Sequence, residues 1–201
     1  MRVGGRGVVL TALALVLVTA TAGSQATPTA ARGSTGPPIP APRVDQFHSV
    51  RTFDMVAEPV RLRIPALGVD TGLERLGRQP DGTIAVPANP TVAGWYAEGP
   101  RPGQPGPAVI LGHVDSATGP GVFLRLGQLS PGATVEVDRA DGTRISFRVT
   151  GLSRVPKVNF PTDLVYSPTL QPSLQLVTCG GSFDYRARSY RDNVIVYTVP
   201  S

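Results

Sequence analysis

Scarcity narrows what this chain can be. Cys179 is the only cysteine in 201 residues, so no internal disulfide forms and the cysteine count does not report the redox compartment. Histidine occurs only as His48 and His113. One thiol and two imidazoles cannot assemble a four-ligand Cys/His zinc site, and neither a metal nor another cofactor is expected. Charged residues make up 16%, and with Lys157 as the sole lysine the formal charge of +5 rests on arginine. The arginines are scattered, without the basic run or interleaved aromatics of a nucleic-acid groove. No nucleic-acid partner is expected, and the mildly basic surface suits an anionic setting such as a cell envelope. Long amphipathic helical patterns are missing too, which points away from a helical bundle.

Glycine and proline are plentiful, at 23 and 21 residues. They imply short elements joined by many turns. The length allows one domain of ordinary size with an accessory segment.

That segment is N-terminal. Arg2 and Arg6 precede an uncharged stretch rich in Leu, Val and Ala, and the next charge is Arg32. A basic region followed by an apolar one is a secretory leader or an uncleaved anchor. Ala20-Thr21-Ala22 fits a small-residue cleavage site, and Gly7 to Ala26 just reaches the length of a membrane span. Residues 1–26 are therefore expected to be a signal peptide or membrane anchor. Residues 27–56, rich in Pro, Ala and Thr, are expected to be a disordered tether. His48 lies in that tether and is set aside.

From residue 57 onward the pattern is that of a folded domain. Val60 to Ile64 alternates with period two, as a half-buried strand does. Further strands are expected at Thr83–Val86, Ala108–Gly112, Thr134–Asp138, Thr143–Val149, Leu174–Cys179 and Asn193–Val199. Asp141-Gly142 marks a hairpin between two of them. Leu73–Leu76 and Phe123–Leu126 read as short helical turns or further strands. Val155 to Thr169, with three prolines, reads as a long connection holding at most a short helix. Short strands at this spacing suggest a closed or nearly closed β-barrel.

Two apolar runs end in chemistry. Leu174-Gln175-Leu176-Val177-Thr178-Cys179-Gly180-Gly181 reads as a strand that carries the thiol to its rim and then enters a loop. Ala108-Val109-Ile110-Leu111-Gly112-His113 brings an imidazole to a second strand end. A lone cysteine is ordinarily a small buried hydrophobe. A cysteine and a histidine at two strand ends are the minimum parts of a thiol nucleophile and its acid/base partner. Tyr190-Arg191-Asp192-Asn193 opens the last strand, and its guanidinium would offer fixed donors to an oxyanion.

Leu-Val-Thr-Cys at a strand end, an upstream Ile-Leu-Gly-His and a downstream Arg before a Val-rich final strand together resemble the sortases. These are the cysteine transpeptidases that attach proteins to Gram-positive cell walls. Gly112-His113-Val114-Asp115, Thr178-Cys179-Gly180-Gly181 and Tyr190-Arg191-Asp192-Asn193 look most like the actinobacterial class F group. The resemblance covers residues 57–201 and implies a mainly β fold, a closed barrel of about eight strands with short helices and long loops. It implies that Cys179 is the nucleophile, His113 the general acid/base and Arg191 the oxyanion or substrate-binding group. The substrate would be an LPxTG-like sorting signal of a surface protein, cut between Thr and Gly through a thioester. A peptidoglycan-precursor amine, or water, would resolve it. The protein is expected to act outside the cytoplasm as a monomer, held to the membrane if its leader is retained.

Asp192-Asn193 separate Arg191 from the apolar strand, and a one-residue slip turns a side chain to the opposite face. Arg186 and Arg188 therefore stand as alternates to Arg191. Glu136, Asp138 and Asp141 read as an exposed hairpin rather than the acidic cluster of the family's calcium-dependent members. Other readings are a different thiol-dependent envelope peptidase, or a non-catalytic surface binding module with a structural cysteine.

Overall fold

The computed structural model describes residues 56–201; the expected leader, nearly all of the expected tether and His48 lie outside them. The strands in chain order are β1 (Pro59–Ile64), β2 (Val69–Leu76), β3 (Ala93–Tyr96), β4 (Gly106–Leu111), β5 (Asp115–Ser116), β6 (Gly119–Pro120), β7 (Thr134–Arg139), β8 (Arg144–Pro156), β9 (Pro172–Asp184) and β10 (Ser189–Pro200). One short helix, α1 (Thr162–Tyr166), lies between β8 and β9.

Eight of these strands close into a barrel in the order β1-β2-β3-β4-β9-β10-β8-β7, and β5 pairs only with β6. Closure leaves none of the eight as an unpaired edge. The expected mainly β, eight-stranded closed barrel is the observed fold.

Alternation decides what faces inward. In β1, Leu62 and Ile64 are buried in the barrel, while Arg61 and Arg63 point out and pair with Asp70 of β2. Arg63 also bonds Asp138 on β7, and Arg144 of β8 pairs with Asp138 and Glu136. The carboxylates Glu136 and Asp138 thus belong to a cross-strand arginine ladder. At the β7–β8 turn, Asp141 accepts from the amide and hydroxyl of Thr143 and Gly142 takes φ 83°, a conformation open to glycine. The Asp-Gly hairpin is as expected.

One expected strand needs correction. Thr83–Val86 is not a strand, because Ile84 makes only an isolated bridge to Arg78. The strand at that point of the chain is β3, whose four residues Ala-Gly-Trp-Tyr are all buried. A strand covered on both faces shows no alternation to read. Leu73–Leu76 resolves as the end of β2, and Phe123–Leu126 leads into a 3-10 turn at Leu126–Gln128.

The core has two parts. Leu62, Trp95, Ile110, Phe147, Leu174 and Leu176 belong to the cluster filling the barrel. A second cluster joins Tyr96, Val109, Val177 and Ile195 to Val165 of α1, with Leu111, Val155, Phe160 and Tyr166 packed against it. These strand residues alternate with the barrel-filling ones, so the second cluster lies on the outer face of β3, β4, β9 and β10. That outer face carries the site.

Candidate active site

Strand β9 presents Leu174 and Leu176 inward and Val177 outward, so Cys179, two residues beyond Val177, also faces outward. The thiol is half-buried. Contrary to the sequence reading, Cys179 does not end its strand: β9 runs on to Asp184. The two glycines are not loop residues but serve close packing. A side chain on Gly180 would meet Val194 at 2.8 Å, and Gly181 has φ +74° against Asp192.

Register places the neighbours of Cys179. On one side β4 runs parallel to β9 with Leu111 beside Val177. The Gly112 amide donates to the Val177 carbonyl at 3.2 Å, and the Thr178 hydroxyl donates to the Gly112 carbonyl at 2.7 Å. Continuing that register brings His113 level with Cys179. On the other side β10 is antiparallel, and Asn193 stands directly opposite Cys179. Val155 of β8 comes next in the row, opposite Asn193. His113, Cys179 and Asn193 thus form a line across three neighbouring chain segments, all lining one groove.

His113 is held from several directions. Its Nε2 lies 2.9 Å from the Pro87 carbonyl oxygen in the β2–β3 connection. A carbonyl can only accept, so Nε2 carries the hydrogen and Nδ1 is left for proton exchange. The Ala88 amide beside that carbonyl donates to Glu74 at 2.9 Å. The His113 carbonyl accepts from the Phe123 amide at 2.9 Å. Gly121 lies so close that any Cβ there would overlap the His113 backbone. Two residues beyond His113, Asp115 accepts a hydrogen bond from the Tyr190 hydroxyl of β10. That bond holds the Tyr190 phenol above its ordinary pKa.

The arginines separate. Arg191 sits where a β-bulge between Tyr190 and Asp192 interrupts the β9–β10 register, and a bulge re-aims the side chains around it. Its guanidinium pairs with Asp184 at 3.1 Å, its side chain is 66% exposed, and it is not among the groove-lining residues. Arg188, in the hairpin turn at φ 50°, does line the groove, as does Lys157. Lys157 donates to Ser189 at 2.8 Å. Arg186 is exposed in the turn, where its amide donates to Asp184. Cys179 and His113 are brought together, and Arg191 is not brought to them. Sequence reasoning treated Asn193 as a spacer and gave no role to Pro87, Glu74 or the Tyr190–Asp115 bond. Only the hairpin register, which the bulge disguises, could have pointed to Asn193.

The groove has a volume of about 1140 Å3 and runs over the outer barrel face between residues 78–86 and the β8–β9 connection. Away from the thiol its wall is aromatic and proline-rich, with Tyr96, Phe160, Tyr166, Pro105, Pro107 and Pro168. The rings of Tyr96 and Tyr166 meet edge to face with centroids 6.1 Å apart. Burial, with a smaller contribution from Tyr96, pushes the Tyr166 phenol up to about 12. Arg78 reaches the Tyr96 hydroxyl at 2.7 Å and pairs with Glu98.

Comparison with known proteins agrees with this fold. A family model described as the sortase domain matches residues 62–201. Among solved structures, sortase A from Corynebacterium diphtheriae is similar at TM-score 0.55 and 18% identity, over 73% of this chain and 61% of that one. Sortase C-1 from Actinomyces oris is similar at TM-score 0.55 and 21% identity, over 72% and 75%. A sortase D5 transpeptidase from Clostridium perfringens gives 0.52 and 19%, over 72% and 79%. At these identities the likeness is one of fold. No curated protein sequence matches the chain.

Proposed function

Since the chain belongs to the sortase family of cysteine transpeptidases, we propose that it cleaves an LPxTG-like sorting signal between Thr and Gly and transfers the acyl group to an amine. The observation that carries this reading is the placement of Cys179 beside His113 in a peptide-sized groove. The Cys179 thiolate attacks the threonine carbonyl carbon, and a tetrahedral intermediate forms. His113 gives its proton to the departing glycine amine as the C–N bond breaks, leaving a thioester on Cys179. An incoming amine attacks the thioester while His113 takes its proton, and a new amide bond forms as the thiolate departs. Water in place of the amine gives hydrolysis. The aromatic and proline wall suits the leucine and proline of such a signal. We assign the cationic role expected of Arg191 first to Arg188, which lines the groove, because Arg191 is engaged by Asp184.

The motifs around His113, Cys179 and Arg191 favour a class F enzyme of an actinobacterium. Residues 1–26 would deliver it outside the cytoplasm and, if retained, anchor it there. The acceptor would be an amine of a peptidoglycan precursor. No helix among the described residues is long and apolar enough to cross a membrane, so anchoring would fall to the leader.

The test is incubation of the protein with an LPxTG-type peptide and a small amine. Mass spectrometry should find the peptide's acyl fragment on Cys179, and the amine ligated to that fragment in the product. If Cys179 instead resists both acylation and alkylation until the protein is denatured, it is a structural thiol and the binding-module reading prevails.

A further inference from the structure

We propose that the Asn193 carboxamide is a catalytic hydrogen-bond donor to the oxyanion formed at Cys179, an inference that rests on the transpeptidase reading above. Asn193 and Cys179 are directly opposed on antiparallel strands, so their side chains share one face with Cβ atoms about 4.5–5.5 Å apart. Both line the groove. A carboxamide carries two N–H donors, and that of Asn193 makes no hydrogen bond to another described residue.

Position matters as much as chemistry. When the thiolate adds to a carbonyl carbon, the new oxyanion sits one bond from the atom bound to Sγ. A donor must therefore stand beside the sulfur and be fixed in advance. Asn193 is fixed by its place in the barrel: Cys179 flanks it on β9 and Val155 on β8, and Val155 packs against the outer core. His113 stands on the opposite side of Cys179. The row thus puts a proton carrier on one side of the nucleophile and a donor on the other, as attack and departure at a tetrahedral carbon require. The carboxamide is neutral, so it can bind the oxyanion without altering the charge balance between thiolate and imidazolium. Arg191 begins the reaction held by Asp184, whereas Asn193 has nothing to release.

The test uses the full chain and two variants, Asn193→Ala and the isosteric Asn193→Asp, which lacks the donor. Two rates are measured: single-turnover acylation of Cys179 by an LPxTG-type peptide, and alkylation of the thiol by iodoacetamide. Removal of one oxyanion donor lowers acylation by about 100- to 1000-fold, and both variants should fall by this much. Alkylation develops no oxyanion, and in Asn193→Ala, which adds no charge beside the thiol, it should stay within about threefold of the parent. Acylation by Asn193→Ala within about threefold of the parent would overturn the assignment and leave the transpeptidase reading intact. A parallel loss of alkylation in Asn193→Ala would also overturn it, since Asn193 would then act on the thiol or the fold. A parent protein that never acylates would remove both.

Discussion

His113 and Pro87 are joined by a hydrogen bond in which the imidazole Nε2 donates to a backbone carbonyl 2.9 Å away. The bond selects one tautomer, which directs Nδ1 to the reaction. The carbonyl is itself braced, because Glu74 accepts from the next amide, that of Ala88. Glu74→Ala should loosen this brace and lower kcat/KM by about three- to tenfold, an effect in the range of one ordinary hydrogen bond. Nitrogen-15 spectra of labelled histidine should show Nε2 as the protonated nitrogen of neutral His113 in the parent. They should show a mixed population in the variant. An Nδ1–H tautomer in the parent would contradict the geometry.

The reaction needs Cys179 deprotonated and His113 protonated. The profile of kcat/KM against pH is therefore expected to be bell-shaped. Acid removes the nucleophile and alkali removes the proton needed by the leaving amine. A flat profile from about pH 5 to 10 would rule out this pair.

Tyr190 and Asp115 tie the start of β10 to the segment just after His113. Tyr190→Phe and Asp115→Asn should each lower kcat/KM several-fold. The double variant should lose no more than the worse single one, as expected for two partners of a single bond. Asp115 raises the Tyr190 phenol above its ordinary pKa. The contribution of the bond to stability is thus fully present below the ordinary tyrosine range and lost as pH rises through the raised value. The stability difference between parent and Tyr190→Phe, followed by denaturant melts, should shrink in strong alkali.

Gly121 has no room for a methyl group, because its Cβ would overlap the carbonyl and Cβ of His113. Gly121→Ala must push the histidine strand end outward. It should cost on the order of 1–3 kcal/mol in a chemical melt and lower kcat/KM more than tenfold. Gly77 meets nothing within 4 Å, and Gly77→Ala should change stability by no more than about 0.5 kcal/mol.

Arg188 and Arg191 lie in one hairpin but face different partners, the groove and Asp184 respectively. Arg188→Ala should reduce acylation by about tenfold or more, and Arg191→Ala by less. The reverse order would mean that Arg191 leaves Asp184 when substrate binds.

Much of this protein was set by local sequence. Strand β1, the Asp141-Gly142 hairpin and the paired apolar runs ending near His113 and Cys179 all declare themselves through period-two alternation and turn chemistry. These are properties of neighbouring residues. A barrel could be inferred from them, and a thiol–imidazole pair with it. Tertiary structure decided the rest. Ala93–Tyr96 is buried on both faces and is made a strand by its pairing with β2 and β4, so no alternation marks it in the sequence. Gly180 and Gly181 stay within β9 because Val194 and Asp192 press against them, although by sequence they resemble a loop. The bulge after Tyr190 carries Arg191 to Asp184 and sets Asn193 opposite Cys179. One inserted residue reverses the facing of side chains, and its presence depends on how two strands pair. The thiol and its histidine could be read along the chain, but the residue across the sheet from the thiol could not.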